Sequence, residues 1–177
     1  AIEQAVSLAN AVSLNIETPG TENMAKLSAK KDYNRDIIEP LKLISRLSMA
    51  QPGKRKVKQS TQFIVGAAGE ADRDIVKYTA RLYDGLHLNR VYFSAYQRST
   101  DTEPLWSEPK LSHKRSDLLT REHRLYQVDF LLRKYGFDGS EIVFDREGKL
   151  CLETDPKEAW AKSHPEFFPK NPNIASK

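Results

Sequence analysis

Residues 59–97 read QSTQFIVGAAGEADRDIVKYTARLYDGLHLNRVYFSAYQ. The apolar run Thr61 to Ala67 predicts a strand, GEADRD a small polar turn, IVKYTARLYDGL a helix, and RVYFSAYQ a second strand. Together they spell one strand–helix–strand unit of a parallel sheet. The first strand runs out into Gly66, Gly69 and Glu70, the second into Ser94 and Tyr96. Ligands of parallel α/β sheets bind at the carboxyl ends of the strands, so the unit fixes both a fold class and a place to look for function.

Upstream, AVSLNIETP predicts another strand, with Val12, Leu14 and Ile16 on one side and Ser13, Asn15 and Glu17 on the other. DIIEPLKLISRLSMA predicts a helix capped by Asp36, with a stripe of Ile37, Leu41, Ile44 and Leu47 and with Pro40 tolerated near the first turn. Asp72 is the expected cap of the next helix. Downstream of the quoted stretch comes a long irregular loop, RSTDTEPLWSEPKLSHKRSD. From Thr120 a helix is expected over REHRLYQVDFLLRKYGF, burying Leu125, Val128, Leu132 and Tyr135 and stopping at Gly136. EIVFD predicts a short strand and Lys157 to Ser163 a short helix. Three parallel strands with their crossovers make about half of a barrel, with an open edge and an uncovered face. The chain opens on AIEQAVSLAN without an initiator methionine and closes on the polar FPKNPNIASK. It is expected to be a piece of a longer protein lacking an N-terminal half.

The 177 residues suffice for one domain, and 39% hydrophobic with 29% charged residues is compatible with a packed core. No apolar run approaches the ~20 residues of a membrane span, and no signal-peptide pattern opens the chain. The single cysteine, Cys151, excludes an intramolecular disulfide and fits a reducing compartment, so a cytoplasmic location is expected. Alone it cannot hold zinc or an iron–sulfur cluster. A net charge of +4 permits a nucleic-acid partner without demanding one.

Several residues could carry chemistry. Asn15 and Glu17 stand two apart at a strand end, where they could bind ribose hydroxyls or an amino group, or equally tie down the following loop. Gln62, Ile64 and Gly66 share one face of the second strand, and Gly66 with Gly69 leaves room for a flat ring against backbone. Ser94 and Tyr96 end the third strand, with Tyr92 on the same face. Glu122, His123 and Arg124 read first as helix-start caps and ion pairs, and a proton relay through His123 is the sharper alternative. The histidines have no zinc spacing. Lys54, Arg55, Lys56 and Lys58 form a basic run that fits phosphate, or simply a solvated surface, on the side opposite the strand carboxyl ends.

SLNIETP, QSTQFIVGAAGEADRDI, LYDGLHLNRVYFSAY, REHRLYQVDFLLRKYGF, TDPKEAWAKSHPEFFP and the closing NPNIA resemble the radical SAM proteins assigned to DNA modification or repair, over well over half the chain. The resemblance implies the C-terminal half of an open (β/α)6 radical SAM barrel, TIM-like, over residues 1–136. Residues 137–177 would form a helical connector toward a helix-hairpin-helix region. It further implies a 4Fe-4S cluster bound by a CxxxCxxC loop, and S-adenosylmethionine cleaved reductively to a 5′-deoxyadenosyl radical that abstracts hydrogen from DNA or a nucleobase. Asn15 and Glu17 match the fourth barrel strand. Ile64 and Gly66 fit the fifth-strand G-x-I-x-G-x-x-E pattern, in which Glu70 falls one place late. Phe93 to Ala95 match the sixth strand. With Gln62, Ser94 and Tyr96 these are the implied S-adenosylmethionine contacts, and DNA is the implied partner. The chain has no CxxxCxxC, and it ends where the hairpin glycines would be expected. Two other readings stand beside this one. One is a non-catalytic nucleic-acid-binding protein on a degenerate barrel. The other is an unrelated barrel enzyme using Glu17 and His123.

Overall fold

The computed structural model describes residues 1–50, 56–97 and 115–167. Its centre is a three-stranded parallel sheet of β1 (Ala11–Ser13), β2 (Lys58–Val65) and β3 (Arg90–Ala95), in that spatial order. Val12 lies beside Gln59, and Gln62 and Ile64 lie beside Tyr92 and Ser94. Six α-helices accompany it among the described residues: α1 (Ile2–Leu8), α2 (Thr21–Leu27), α3 (Glu39–Met49), α4 (Asp72–Leu86), α5 (Arg115–Phe130) and α6 (Pro156–Ser163). The strand–helix–strand reading of residues 59–97 holds. None of the helices among the described residues is long and apolar enough to cross a membrane.

The core lies on one face of the sheet. Leu41 of α3, Ile75, Val76 and Leu82 of α4, and Leu125 and Val128 of α5 cluster with Phe63, Val65, Val91 and Phe93. The rings of Phe63 and Phe93 stack at 6.2 Å. Ile142 and Leu150, beyond Gly136, join the same core. A smaller cluster of Val6, Ile44 and Val57 closes the amino end under α1. The opposite face is different: Ser60, Gln62, Ile64 and Ser94 are half-buried, and Tyr92 is exposed.

The free edge of β3 is sealed by side chains. The N–H groups of Val91, Phe93 and Ala95 donate to Tyr83 Oη (3.0 Å), Tyr126 Oη (3.1 Å) and Glu122 Oε2 (2.6 Å). Tyr126 Oη also donates to the Phe93 carbonyl at 2.9 Å. An unpaired strand edge is a template for association, and here α4 and α5 occupy each outward donor.

Five sequence expectations are corrected. The first strand is shorter than AVSLNIETP: regular pairing ends at Ser13 and resumes only as an isolated bridge between Glu17 and Phe63. The pairing offset changes between them, a bulge. Thr61 fills the gap, its hydroxyl accepting from Ile16 N at 2.9 Å and donating to Leu14 O at 2.7 Å. Asp36 is not a helix cap. The helix begins earlier, in a wide π-turn over Asn34–Ile38, and Asp32 Oδ1 accepts from Arg35 N at 2.7 Å. Pro40 cannot donate to the preceding turn, and the wide turn just before it relieves the crowding of its ring. Asp72 is buried and its carboxylate faces away from capping duty, as described below. Tyr135 is exposed, because the helix ends in a second π-turn, Leu131–Tyr135, whose extra residue rotates Leu131 inward and Tyr135 outward. Gly136 still terminates it, at φ +71°. EIVFD is not a strand; Gly139–Glu141 is a 3-10 turn behind a capping box on Asp138.

Candidate functional site

The carboxyl ends of the strands are built by unusual backbone. Glu17 adopts φ +65°, a left-handed conformation costly for a residue with a side chain. Its N–H donates to Gln62 O at 3.0 Å, and its carbonyl accepts from Ile64 N at 2.7 Å. These two bonds pin the strained residue against β2. The Glu17 carboxylate carries a buried oxygen, Oε2, with no hydrogen-bond partner among the described residues. Such an atom costs free energy unless something polar arrives to satisfy it.

After β2 the chain turns through Gly66 at φ +88°. Glu70 folds back so that its carboxylate accepts from Gly66 N at 2.5 Å and Ala68 N at 3.0 Å. Arg121 of α5 then locks this turn to its surroundings. Its Nε binds Asp72 Oδ1, and its Nη2 donates to the Glu70 carbonyl at 2.8 Å. Asp72 Oδ2 accepts from Leu150 N at 2.8 Å. Lys149 Nζ reaches the same Glu70 carbonyl at 3.3 Å. Burial, helped by the nearby Arg121 charge, pulls the Lys149 ammonium below its ordinary value. A cavity of about 340 Å³ opens beside this cluster, lined in part by Gly69, Asp117, Leu118, Lys149 and Leu152. Glu70, Asp72 and Arg121 are therefore structural partners, a paired set in which each buried charge has an opposite one.

A second buried set sits lower on α5. Asp129 accepts from Tyr83 Oη and from Arg133 Nη2 (2.7 Å). Burial, reinforced by the Asp129 carboxylate, pushes the Tyr83 phenol well above its ordinary range. A phenol held this firmly neutral serves as a donor to Asp129 and an acceptor for the β3 edge.

The structure gathers most of the sequence-derived residues around the end of β2. Gln62, Ile64 and Ser94 lie on the half-exposed face, Glu17 is bonded to the β2 backbone beside them, and Tyr96 N donates to Val65 O at 2.9 Å. Asn15 is exposed, in the irregular stretch after β1. A side chain at Gly66 would meet Leu118 at 3.1 Å and Arg121 at 3.4 Å, so α5 fills the space that glycine leaves there. At Gly69 the same space is open. Lys56 and Lys58 are exposed at the amino end of β2, away from this site; Lys54 and Arg55 lie outside the described residues. His123 is exposed on α5, and Glu122 caps the β3 edge. Among the described residues no three His, Cys, Asp or Glu side chains are grouped to hold a metal ion.

Sequence reasoning missed Arg121, Asp129 and Lys149, whose roles depend on partners distant in the chain. No protein-family model, no curated protein and no solved structure matches this chain.

Proposed function

We propose that this chain is the C-terminal half of an open radical SAM barrel, from a cytoplasmic enzyme that modifies or repairs DNA or a nucleobase. The observation that carries this reading is the asymmetry of the sheet. Parallel sheets are ordinarily covered on both faces, yet the face with Gln62, Ile64, Tyr92 and Ser94 is polar and half-open. A strand face that helices leave partly uncovered is compatible with the inward side of an open barrel, whose ligands would sit at the strands' carboxyl ends.

S-adenosylmethionine fits the residues present. It carries an ammonium group and ribose hydroxyls, and Glu17 Oε2, buried and without a partner among the described residues, is an acceptor that either would satisfy once the carboxylate turned toward it. Gln62 and Ser94 would supply further polar contacts, and Ile64 an apolar one for a flat ring. With one electron from a cluster held elsewhere in the polypeptide, S-adenosylmethionine bound there would be cleaved to methionine and a carbon-centred radical able to abstract hydrogen. This chain's part is to bind and orient it, with Glu17 preset by its left-handed backbone. An iron–sulfur cluster does not fit the described residues: Cys151 is exposed and has no companion ligands. The cluster ligands would come from another part of the polypeptide.

The test is anaerobic iron and sulfide reconstitution of the full-length gene product, with iron content and low-temperature EPR. A four-iron signal altered by S-adenosylmethionine is the expected result. A full-length product without iron and without an upstream CxxxCxxC would overturn the reading. It would favour a nucleic-acid-binding protein, to which exposed Lys56 and Lys58 already lend support.

A further inference from the structure

From the half-exposed sheet face out to α6 runs a strip of four aromatic rings with a cation near each end. Arg90 lies over two rings, with its guanidinium carbon 5.8 Å from the Tyr92 centroid and 5.9 Å from that of Tyr126. Tyr126 and Phe130, one turn apart on α5, line a shared cavity of about 270 Å³. Phe130 meets Tyr135 edge-on at 5.7 Å, and Lys157 Nζ sits 4.2 Å from the Tyr135 centroid. Three of these rings are open to solvent: Tyr92 is 45%, Phe130 49% and Tyr135 55% exposed. Large exposed rings in one strip are unusual unless something covers them.

We infer that this strip is a binding surface for single-stranded nucleic acid, with bases stacking on Phe130 and Tyr135 and phosphates drawn to Lys157 and, beside its 3.8 Å ion pair with Asp129, to Arg90. The chemistry of the strip selects this occupant. A protein partner seeking apolar burial would be opposed by cations seated on the rings, whereas a single strand offers flat rings and negative charges in alternation. The rings are also held in place. Tyr126 is fixed by two hydrogen bonds to the Phe93 backbone, and Tyr135 is turned outward by the π-turn and braced by Lys157. Asp155, which also lines the cavity, is engaged with the α6 backbone at Lys157 N (2.8 Å). The duplex is a poorer fit, because its bases are already stacked on one another. Since Tyr92 neighbours Gln62 across the sheet, a strand on this strip would pass the mouth of the half-open face. The inference extends only the nucleic-acid part of the proposed function and requires no cofactor.

The experiment is fluorescence anisotropy of a fluorescein-labelled oligodeoxythymidine with the whole chain at low salt, cofactor-free, against a duplex of equal length. The single strand is expected to bind more tightly. Phe130→Ala and Tyr135→Ala should each weaken it by about 5- to 100-fold, and Tyr135→Phe should not. Lys157→Gln should lower the log–log salt slope by about 0.7. Both alanine sites are exposed, so thermal melts should show unchanged folding. Absence of single-strand binding, or alanine variants that fold and bind as the parent does, would overturn the inference and leave the strip to a protein partner. Neither result depends on whether an iron–sulfur cluster is found.

Discussion

The two faces of the sheet are drawn from the same strands, yet one is sealed and the other left open. On the sealed face Phe63 and Val65 are fully buried beneath three helices, and even the polar Gln59 is used, donating to Leu41 O at 2.9 Å. On the open face Gln62, Ile64 and Ser94 alternate with those same residues and are only half-buried. Stability therefore resides on one side of each strand, and the other side is free to be chosen for binding. Glu17 stands apart from both: it pairs with Phe63 at the strand end, in a left-handed conformation and with a buried oxygen that no described residue satisfies.

The contrast breaks most visibly if the sealed face is opened. Phe63→Ala removes a fully buried ring stacked on Phe93 and should cost about 3–5 kcal/mol, read as a fall in the denaturation midpoint. A loss under about 1 kcal/mol would mean that the sealed face is not the core. Asp72→Ala is next. It leaves Arg121 buried with only the more distant Glu70 carboxylate, at 3.5 Å, and orphans Leu150 N. The expected loss is about 3 kcal/mol, and replacing Arg121 by Met in the same chain should recover part of it.

These two sites also show what the sequence could and could not reveal. The face shared by Gln62 and Ile64 was legible because alternation is local, and it leaves Phe63 and Val65 to the other side whatever the rest of the chain does. Asp72 was misread as a cap because a carboxylate at a helix start ordinarily serves that role, and its true partner Arg121 lies 49 residues away. The same limit hid the β3 edge, where Tyr83, Glu122 and Tyr126 come from two helices. The π-turns were invisible for a different reason: a helix that widens by one residue keeps its composition and loses only its phase, so Tyr135 left the stripe while Leu131 entered it. The candidate site was half legible. Its strand-end residues followed from the parallel-sheet rule, but the left-handed turn at Glu17 breaks the alternation that Asn15 and Glu17 were expected to share.

The seal along β3 lies between the two faces in kind, polar in chemistry but structural in purpose. Tyr126→Phe deletes the hydroxyl that serves both Phe93 N–H and Phe93 C=O, while keeping the ring against Phe93 at 5.2 Å. The loss should be about 1–2 kcal/mol, with concentration-dependent self-association as the second readout, since an edge donor is released. Unchanged stability and solubility would show that the edge needs no seal.

The smallest expected effect on stability is the most informative about function. Gln62→Ala and Ser94→Ala lie on the half-open face, where both side chains are half-buried. Each should shift stability by no more than about 0.5 kcal/mol. If that face holds S-adenosylmethionine, the same variants of the full-length protein should lose roughly 3- to 10-fold in affinity, the value of one hydrogen bond apiece. Stability lost without affinity would make the open face an ordinary, thinly covered side of the fold. Affinity lost without stability would mark it as a binding surface, because only a ligand, absent from the folding equilibrium, would register the missing groups.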